Sequence, residues 1–216
     1  MNDVMNVVII DYGSGNLRSA AKAFERVVGE TGTAATITVS SEAAAIDAAD
    51  KIVLPGVGAF AACMAGLSAL PGVREALQRN VQERKKPFLG ICVGMQLMAE
   101  RSLEHGVHRG LGWIAGEVRP IPANGLKVPH MGWNELVLQK TDHPVLAGIP
   151  PGAHAYFVHS YAMACADAAD VAARTEYGSP LVAVVARANL VGTQFHPEKS
   201  QATGLRLIGN FLAWRP

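Results

Sequence analysis

The stretch of sequence most informative about the fold is Pro87-Phe88-Leu89-Gly90-Ile91-Cys92-Val93-Gly94-Met95-Gln96. Its first half is a short apolar run typical of a buried strand, and helical character resumes from Val93 to Glu100. The junction of the two carries the pattern Gly-x-Cys-x-Gly, from Gly90 to Gly94, which has the form of a nucleophile elbow with cysteine in place of serine. The pattern predicts that Cys92 projects from a tight turn. There the N–H groups at the start of the next helix favour a thiolate and stabilise an oxyanion.

Strand and helix alternate through the rest of the N-terminal half, which indicates a parallel sheet with helices on its faces. From Trp113 onward, short strand-like segments separated by Gly and Pro predict an antiparallel extension. The sequence therefore predicts an α/β fold with an open, mostly parallel central sheet, flanking helices and an antiparallel extension. The predicted strands of the first half are Val4 to Ile10, Thr36 to Val39, Ile52 to Leu54 and Phe88 to Ile91, and the helices include Leu17 to Val28, Gly58 to Leu70, Val73 to Arg84 and, near the end, Ala202 to Trp214.

Composition predicts one compact domain spanning residues 1–216. Half of the 216 residues are hydrophobic, 17% are charged, and the net charge is +1, so nothing draws the whole molecule to nucleic acid or an anionic membrane. The longest uncharged stretch, Ile52 to Leu70, is broken by Pro55-Gly56, which argues against a membrane span. Met1-Asn2-Asp3 has no basic segment that leads into an apolar run, so we expect no secretory signal, and three cysteines make no disulfide framework. We therefore expect a cytoplasmic protein.

A thiolate nucleophile needs a base, and the chain has seven histidines. His196 stands out because it directly follows an apolar strand and precedes Pro197, which biases it toward extended geometry. In an extended chain residues i and i+2 project to the same side, so Glu198 can orient and charge-stabilise the His196 ring. A surface His-Pro-Glu turn explains this segment equally well, and the Cys92 elbow is what favours a triad. His105 and His108 have a weak metal-like spacing without a third ligand and are expected to be loop residues. The other four have no carboxylate at a suggestive spacing: His130, His143, His154 and His159.

Two glycine-rich segments require different interpretations. Leu54 to Phe60 follows a strand, and its backbone N–H groups can turn toward a developing oxyanion, although a plain strand-to-helix turn is the simpler alternative. Gly13 to Arg18 begins like a dinucleotide-binding fingerprint, but Arg18 replaces the third glycine, so a turn into the first helix is favoured. Cys63 and Cys165 lack the context of Cys92 and are expected to be inert.

The elbow and His196-Pro197-Glu198 together resemble the class I, triad-type glutamine amidotransferases. Within that class the chain is similar to the glutaminase subunits of imidazole glycerol phosphate synthase, and Lys199-Ser200 is the most discriminating piece. The segments that carry this closer similarity are Asp11 to Leu17, Leu54 to Phe60, Pro129 to Asn134, Tyr156 to Tyr161 and Phe195 to Ser200.

The resemblance implies a role for each matching residue, with no metal and no cofactor. It implies a Cys92 nucleophile, a His196 base and an orienting Glu198. It further implies an oxyanion site at Gly56, Val57, Gly58 and Val93, glutamine-binding residues at Gln96, Glu104, Ser160 and Tyr161, and a partner interface at Asn16, Trp133 and Lys199.

The implied partner is a (β/α)8-barrel cyclase that forms a heterodimer with this chain and uses its ammonia in histidine biosynthesis. Three alternatives stay open at this point. One is an amidotransferase subunit for anthranilate, aminodeoxychorismate or pyridoxal phosphate synthesis, against which Lys199-Ser200 and Pro129 to Asn134 argue. The second is a cysteine peptidase on a similar sheet. The third is a non-catalytic scaffold that kept the fold alone.

Overall fold

The computed structural model of the chain describes residues 4–122 and 124–216. Met1, Asn2 and Asp3, on which the expectation of no secretory signal rests, lie outside these described residues. The helices are α1 (Leu17–Thr31), α2 (Ala43–Ala48), α3 (Phe60–Ala69), α4 (Val73–Leu77), α5 (Val93–Gln96) and α6 (Gln201–Ala213). The strands are β1 (Met5–Ile10), β2 (Ala35–Ser40), β3 (Lys51–Gly56), β4 (Phe88–Cys92), β5 (Ala99–Ser102), β6 (His108–Arg109), β7 (Ile114–Pro120), β8 (His130–Glu135), β9 (Val137–Leu138), β10 (His154–His159), β11 (Tyr161–Cys165), β12 (Val171–Glu176), β13 (Pro180–Arg187) and β14 (Leu190–Thr193).

An eight-stranded sheet in the order β2-β1-β3-β4-β14-β13-β12-β9 forms the centre of the molecule. The five strands from β2 to β14 pair in parallel, and β13, β12 and β9 continue the sheet with antiparallel pairing. This confirms the predicted mostly parallel sheet with an antiparallel extension. Strands β3 and β4 are buried along their whole length, as their continuous apolar sequence predicts for a sheet covered on both faces.

The helices pack in two groups that cover the sheet. Helix α1 packs on α6, where the rings of Phe24 and Phe211 meet edge to face at 6.4 Å, while α2 and α3 both pack on α4. Right-handed crossovers between the parallel strands place the two groups on opposite faces. No helix in the described part of the chain is long and apolar enough to cross a membrane.

Two predicted helices differ from the observed ones. The helix predicted from Val93 to Glu100 ends at Gln96, and Ala99–Ser102 forms a strand instead. The cause is a tertiary contact, because the carbonyls of Leu97 and Ala99 accept hydrogen bonds from the backbone N–H groups of Leu111 and Gly112. The helix predicted from Val73 to Arg84 continues beyond α4 as a π-helix over Gln78–Glu83.

The C-terminal half also builds two small sheets that the sequence did not predict as separate units. Strands β8 and β10 pair antiparallel, with His130 opposite His159. The other small sheet has the order β11-β7-β5-β6. Apart from the local β5–β6 pair, both depend on pairings between segments farther apart in the chain, which a local hydrophobic pattern does not specify.

Close backbone contact holds the turn after β4 against β3. A Cβ atom on Gly94 would collide with the carbonyl oxygen of Leu54, and one on Gly90 would lie 2.7 Å from the carbonyl oxygen of Gly94. These neighbours are backbone atoms of buried elements, so they cannot move aside as a flexible side chain would. The glycines of the Gly-x-Cys-x-Gly pattern are therefore required by space, as expected from the sequence.

We expect Gly94→Ala to destabilise the protein by about 2 kcal/mol or more, because overpacking forces backbone shifts in a buried region. Gly29→Ala is the matched control: Gly29 is exposed in the interior of α1 with open space around its Cα, and alanine there favours the helix by up to about 1 kcal/mol. The free energies of unfolding come from urea titration. A Gly94→Ala chain as stable as Gly29→Ala would contradict the packing argument.

Candidate active site

Parallel strands β3, β4 and β14 end at one edge of the central sheet and bring three predicted site segments together. Gly56 at the end of β3 stands opposite Cys92 at the end of β4, and Thr193 at the end of β14 stands opposite Ile91. The chain continues from Thr193 through Gln194 to His196. The predicted nucleophile, oxyanion segment and base therefore share the edge where ligands bind in open α/β sheets.

Cys92 has a strained backbone conformation at the turn. Its φ of 53° and ψ of −112° lie outside the regions that non-glycine residues ordinarily occupy, and its side chain is buried. A conformation of this kind costs roughly 1–3 kcal/mol and persists only where the surroundings enforce it. Helix α5 has only four residues, so the long helix field expected from the sequence is absent, and the N–H groups of Val93 and Gly94 are what lies next to Cys92.

His196 and Glu198 form a buried pair beside Cys92. The Nδ1 atom of His196 lies 2.8 Å from Oε1 of Glu198, and both side chains are only 3% exposed. His196 is extended, as Pro197 predicts, but Pro197–Lys199 is a 3-10 turn. The turn, and not a continuous extended chain, therefore brings the carboxylate back to the ring. The fixed φ of proline suits the first position of such a turn.

The surroundings of His196 favour its charged form. Burial lowers the pKa of the ring, but the neighbouring Cys92 sulfur and Glu198 carboxylate outweigh burial and raise the pKa of His196 to about 9. The Nε2 atom of His196 is buried and has no hydrogen-bond partner among the described residues. This nitrogen is therefore free for an exchange of protons with a bound molecule.

Two side chains hold the predicted oxyanion segment in place through hydrogen bonds to one of its carbonyl groups. The carbonyl oxygen of Val57 accepts hydrogen bonds from the Ser14 hydroxyl at 2.5 Å and the Cys63 thiol at 3.3 Å. Because C=O and N–H point in opposite directions across a trans peptide, the N–H of Gly58 points away from Ser14 and Cys63. Gly58 has a φ of +94°, which favours glycine.

Two of the predicted glutamine-binding residues, Gln96 and Tyr161, are in direct contact. The side-chain amide of Gln96 donates to the carbonyl oxygen of Tyr161 and to Oε1 of Gln194, both at 3.0 Å. The Gln194 amide in turn lies 3.7 Å from the Cys92 sulfur. A hydrogen-bonded chain therefore connects these residues to the predicted nucleophile.

Glu104 and Ser160, the other two predicted glutamine-binding residues, make hydrogen bonds to other backbone segments. Oε2 of Glu104 accepts the backbone N–H of Phe60 at 2.5 Å, which ties this carboxylate to the residue that begins α3 just after the oxyanion segment. Ser160 connects β10 to β11, and its carbonyl oxygen accepts the N–H of Ile121. Among the described residues, no group of three or more His, Cys, Asp or Glu side chains is arranged to hold a metal ion.

Two of the three residues predicted at a partner interface, Trp133 and Lys199, lie against the same ring, that of Tyr156. The ring of Tyr156 lies 6.0 Å from that of Trp133, which is 47% exposed, and 5.7 Å from the Nζ of Lys199. Asn16 is half-buried and directly precedes α1. The three are thus accessible to differing degrees, and Trp133, Tyr156 and Lys199 form a continuous aromatic and cationic patch.

Sequence reasoning misses several side chains that contact the site. The sequence pattern predicts a plain turn at Ser14 and an inert core position at Cys63, yet both bind the Val57 carbonyl. It marks Gln194 only as a neighbour of His196. The one available signal for Gln194 is its place at a strand end directly before that histidine, which does not reveal a contact with Gln96 across 98 positions of sequence.

The family assignment agrees with this geometry. The model of the family described as "Glutamine amidotransferase class-I" matches residues 8–213. The chain belongs to the class I glutamine amidotransferase family.

Its curated relatives are more specific. A protein of Rhodospirillum rubrum named imidazole glycerol phosphate synthase subunit HisH is 59% identical, over 98% of this chain and 100% of the relative. A protein of Brucella suis with the same name is 57% identical over 98% of this chain and 100% of its own length.

Solved structures share the fold at low sequence identity. A crystal structure of a glutamine amidotransferase matches with a TM-score of 0.70 at 17% identity, covering 96% of this chain and 99% of that one. A glutamine amidotransferase from Thermotoga maritima matches with a TM-score of 0.64 at 15% identity, covering 91% of this chain and 77% of that one. At these identities the likeness establishes the fold alone.

We expect the ring of His196 to titrate near pH 9, and Glu198→Gln to lower this midpoint because the substitution removes a negative charge beside the ring. Since the raised pKa reflects stabilisation of the charged ring, the stabilisation is complete below about pH 6.5 and is lost as pH rises through about 9. Imidazole NMR signals followed against pH measure the midpoint. His130, whose pKa burial lowers to about 4, is the internal contrast. Coincident midpoints for His196 in both chains would contradict the role of Glu198.

Proposed function

We propose that this chain is the glutaminase subunit of an imidazole glycerol phosphate synthase. It hydrolyses glutamine to glutamate and ammonia and passes the ammonia to a cyclase partner in histidine biosynthesis. The observation that carries the proposal is the placement of strained, buried Cys92 beside the charged His196–Glu198 pair. The shared name of the full-length relatives supports this acceptor over those of the other amidotransferase pathways.

The first half-reaction forms a thioester. The Cys92 thiolate attacks the side-chain carboxamide carbon of glutamine, and the carbonyl oxygen becomes an oxyanion. The charged His196 ring gives its Nε2 proton to the departing nitrogen, ammonia leaves, and a γ-glutamyl thioester remains on Cys92. Glu198 holds Nδ1 of the ring, so the proton available for transfer is the one on Nε2.

The second half-reaction releases glutamate. Nε2 of His196, now neutral, takes a proton from water as the water oxygen attacks the thioester carbon. The tetrahedral intermediate collapses, the carbon–sulfur bond breaks, and Cys92 leaves as the thiolate with His196 charged again. A positioned acid–base group of this kind contributes roughly 10²–10⁴ in rate.

Backbone donors stabilise the oxyanion in both halves. We assign this role to N–H groups of the Gly56–Val57–Gly58 segment and of Val93, which the pairing of β3 with β4 brings to the same strand ends. Each well-placed donor is worth about 3 kcal/mol of transition-state stabilisation. The hydrogen bonds from Ser14 and Cys63 to the Val57 carbonyl set the orientation of this segment.

Glutamine recognition is assigned to the residues around this centre. We place the side chain of glutamine between Cys92 and Gln96, and its amino-acid head group near Glu104 and the Ser160–Tyr161 strand connection. Glu104 supplies a negative charge for an α-ammonium group. The hydrogen bonds from Gln96 to Tyr161 and Gln194 support this placement.

The partner is assigned as a (β/α)8-barrel cyclase docked on the face that carries Asn16, Trp133 and Lys199. A half-exposed tryptophan and an exposed lysine on one patch are typical of an interface that combines an aromatic anchor with a charge. Ammonia that enters the partner directly avoids protonation to ammonium in bulk water. We further propose that residues 1–216 act as one domain in the cytoplasm, which the free state of all three cysteines supports.

Cys92→Ala should abolish glutaminase activity, by roughly 10³-fold or more, because the nucleophile is removed while the fold tolerates the smaller side chain. The activity is glutamate release measured with the cyclase and its nucleotide ligand present. Cys165→Ala is the matched control and should retain activity, since Cys165 lies outside the site on β11. Binding of the Cys92→Ala chain to the cyclase should persist. Glutamate release by this variant at the unsubstituted rate would overturn the assignment.

The isolated chain should hydrolyse glutamine slowly, and adding the cyclase with its ligand should raise kcat/KM at least about tenfold, as expected for a site completed by its partner. The reason is that the oxyanion segment is held apart from Cys92, by hydrogen bonds to the Val57 carbonyl. A docked partner can therefore change the orientation of this segment. The measurement compares glutamate release by the chain alone, with cyclase, and with cyclase plus ligand. An isolated chain as fast as the liganded complex would refute the coupling.

A further inference from the structure

Two buried histidines outside the proposed triad, His130 and His159, face each other across the β8–β10 pair. Nδ1 of His130 lies 2.9 Å from Nε2 of His159, and the two side chains are 3% and 6% exposed. The proposed glutaminase chemistry uses neither ring. A buried pair of ionisable groups with little solvent contact costs desolvation energy, so it requires a specific set of hydrogen-bond partners.

The hydrogen bonds of the pair allow only one arrangement of protons. Nδ1 of His159 lies 2.9 Å from the carbonyl oxygen of Tyr161, which can only accept, so this nitrogen carries the proton. Nε2 of a neutral His159 is then an acceptor, and Nδ1 of His130 must donate to it. Nε2 of His130 is left to accept from the Asn134 amide at 3.1 Å.

Burial keeps both rings neutral, as this arrangement requires. Desolvation lowers the pKa of each ring to about 4. A further proton on either ring would set two donors against each other, because every ring nitrogen already has a partner. The pair is therefore locked in one tautomer at neutral pH.

The locked pair ends on the residues of the glutamine site. The Tyr161 carbonyl that accepts from His159 also accepts from the Gln96 amide, so both of its lone pairs are used. The Gln96 amide also donates a hydrogen bond to Gln194, and the Gln194 amide donates to the Cys92 sulfur. The chain of contacts thus runs without a gap from Asn134 on β8 to the sulfur, through side chains that are largely buried.

At its other end the pair belongs to strand β8, which also carries Trp133 of the proposed partner face. Strand β8 alternates, with His130 turned inward while Met131 and Trp133 are 66% and 47% exposed. The His130 ring is stacked between Phe157, at 4.8 Å, and Tyr177, at 4.1 Å. A shift of β8 therefore moves His130 and its hydrogen bonds together.

We propose that His130 and His159 are positioning residues for glutamine hydrolysis: their hydrogen bonds hold the Tyr161 carbonyl and Gln96 in place and connect them to strand β8. The proposal rests on the glutaminase function proposed above. The two rings touch neither the reacting atoms nor the Cys92 sulfur directly, and they act through the glutamine-binding contacts. Loss of the contacts should therefore affect KM for glutamine more than kcat.

Two substitutions of His159 separate its two bonds. In His159→Gln the longer amide reaches the place of Nε2 and keeps the contact with His130, but the Tyr161 carbonyl loses a donor. We expect KM for glutamine in the complex with the cyclase to rise about fivefold, the effect of one net hydrogen bond. In His159→Asn the shorter amide occupies the place of Nδ1, restores that donor, and should return KM to within about twofold of the unsubstituted complex.

The control is His154→Gln, the same substitution at an exposed position of β10, which should leave KM and kcat unchanged. If His159→Gln leaves KM unchanged, or if His159→Asn raises it equally, the positioning role is refuted. Failure of the unsubstituted complex to hydrolyse glutamine would instead refute the proposed function.

A second variant decides the question if the His159 variants do not fold. His130→Phe keeps a flat ring between Phe157 and Tyr177 and removes both hydrogen bonds of His130. Since the hydrogen bonds of His130 lead to the glutamine site through His159, and the phenylalanine keeps the ring stacking, a rise in KM of about twofold or more supports the proposed connection. An unchanged KM in a folded His130→Phe complex overturns it.

Discussion

The contact on which the site depends is the approach of the Cys92 turn to the end of strand β3. Gly94 lies so close to the Leu54 carbonyl that no side chain fits between them, and Gly90 makes a similar but less close approach to the Gly94 carbonyl. This contact sets the path of the chain through Cys92 and accounts for its positive φ. The strain costs roughly 1–3 kcal/mol, which the burial of β3 and β4 along their whole length offsets.

The same contact explains why the candidate site residues gather at the carboxyl ends of the central strands. Parallel pairing places the ends of β3, β4 and β14 side by side, and the turn then directs Cys92 toward the chain that follows β14. His196 and Glu198 lie on that chain. A shift of register by one residue would turn every side chain to the other face, so the fully buried sheet protects the geometry of the site.

The pKa values of the buried histidines near this end of the sheet are shifted in opposite directions, although burial lowers the pKa of each ring. His196 lies beside a sulfur and a carboxylate, and these raise its pKa to about 9 in spite of burial. The hydrogen-bond partners of His130 and His159 are neutral, so desolvation prevails and lowers the pKa of each ring to about 4, with the nearby His196 adding to the effect at His159. One side-chain type is thus charged at one position and neutral at two others, and the neighbouring groups decide which.

The amino-acid sequence contained the local chemistry of this protein. Continuous apolar runs indicated the buried strands, the spaced glycines indicated the turn at Cys92, and Pro197 indicated the conformation of His196. These features depend on residues within a few positions of one another, so a reading along the chain recovers them. The resemblance of the motifs to a known family added the expectation that Gln96 and Glu104 bind glutamine, which spacing alone did not indicate.

Contacts between distant segments emerged only in the folded molecule. The helix expected from Val93 to Glu100 ends early because backbone carbonyls of this segment accept hydrogen bonds from the N–H groups of Leu111 and Gly112. Gln194 reaches Cys92 across 102 positions, and His130 meets His159 across 29. Hydrophobic periodicity tells which face of an element is buried, but not which other element covers that face, because the covering element is selected by the packing of the whole chain.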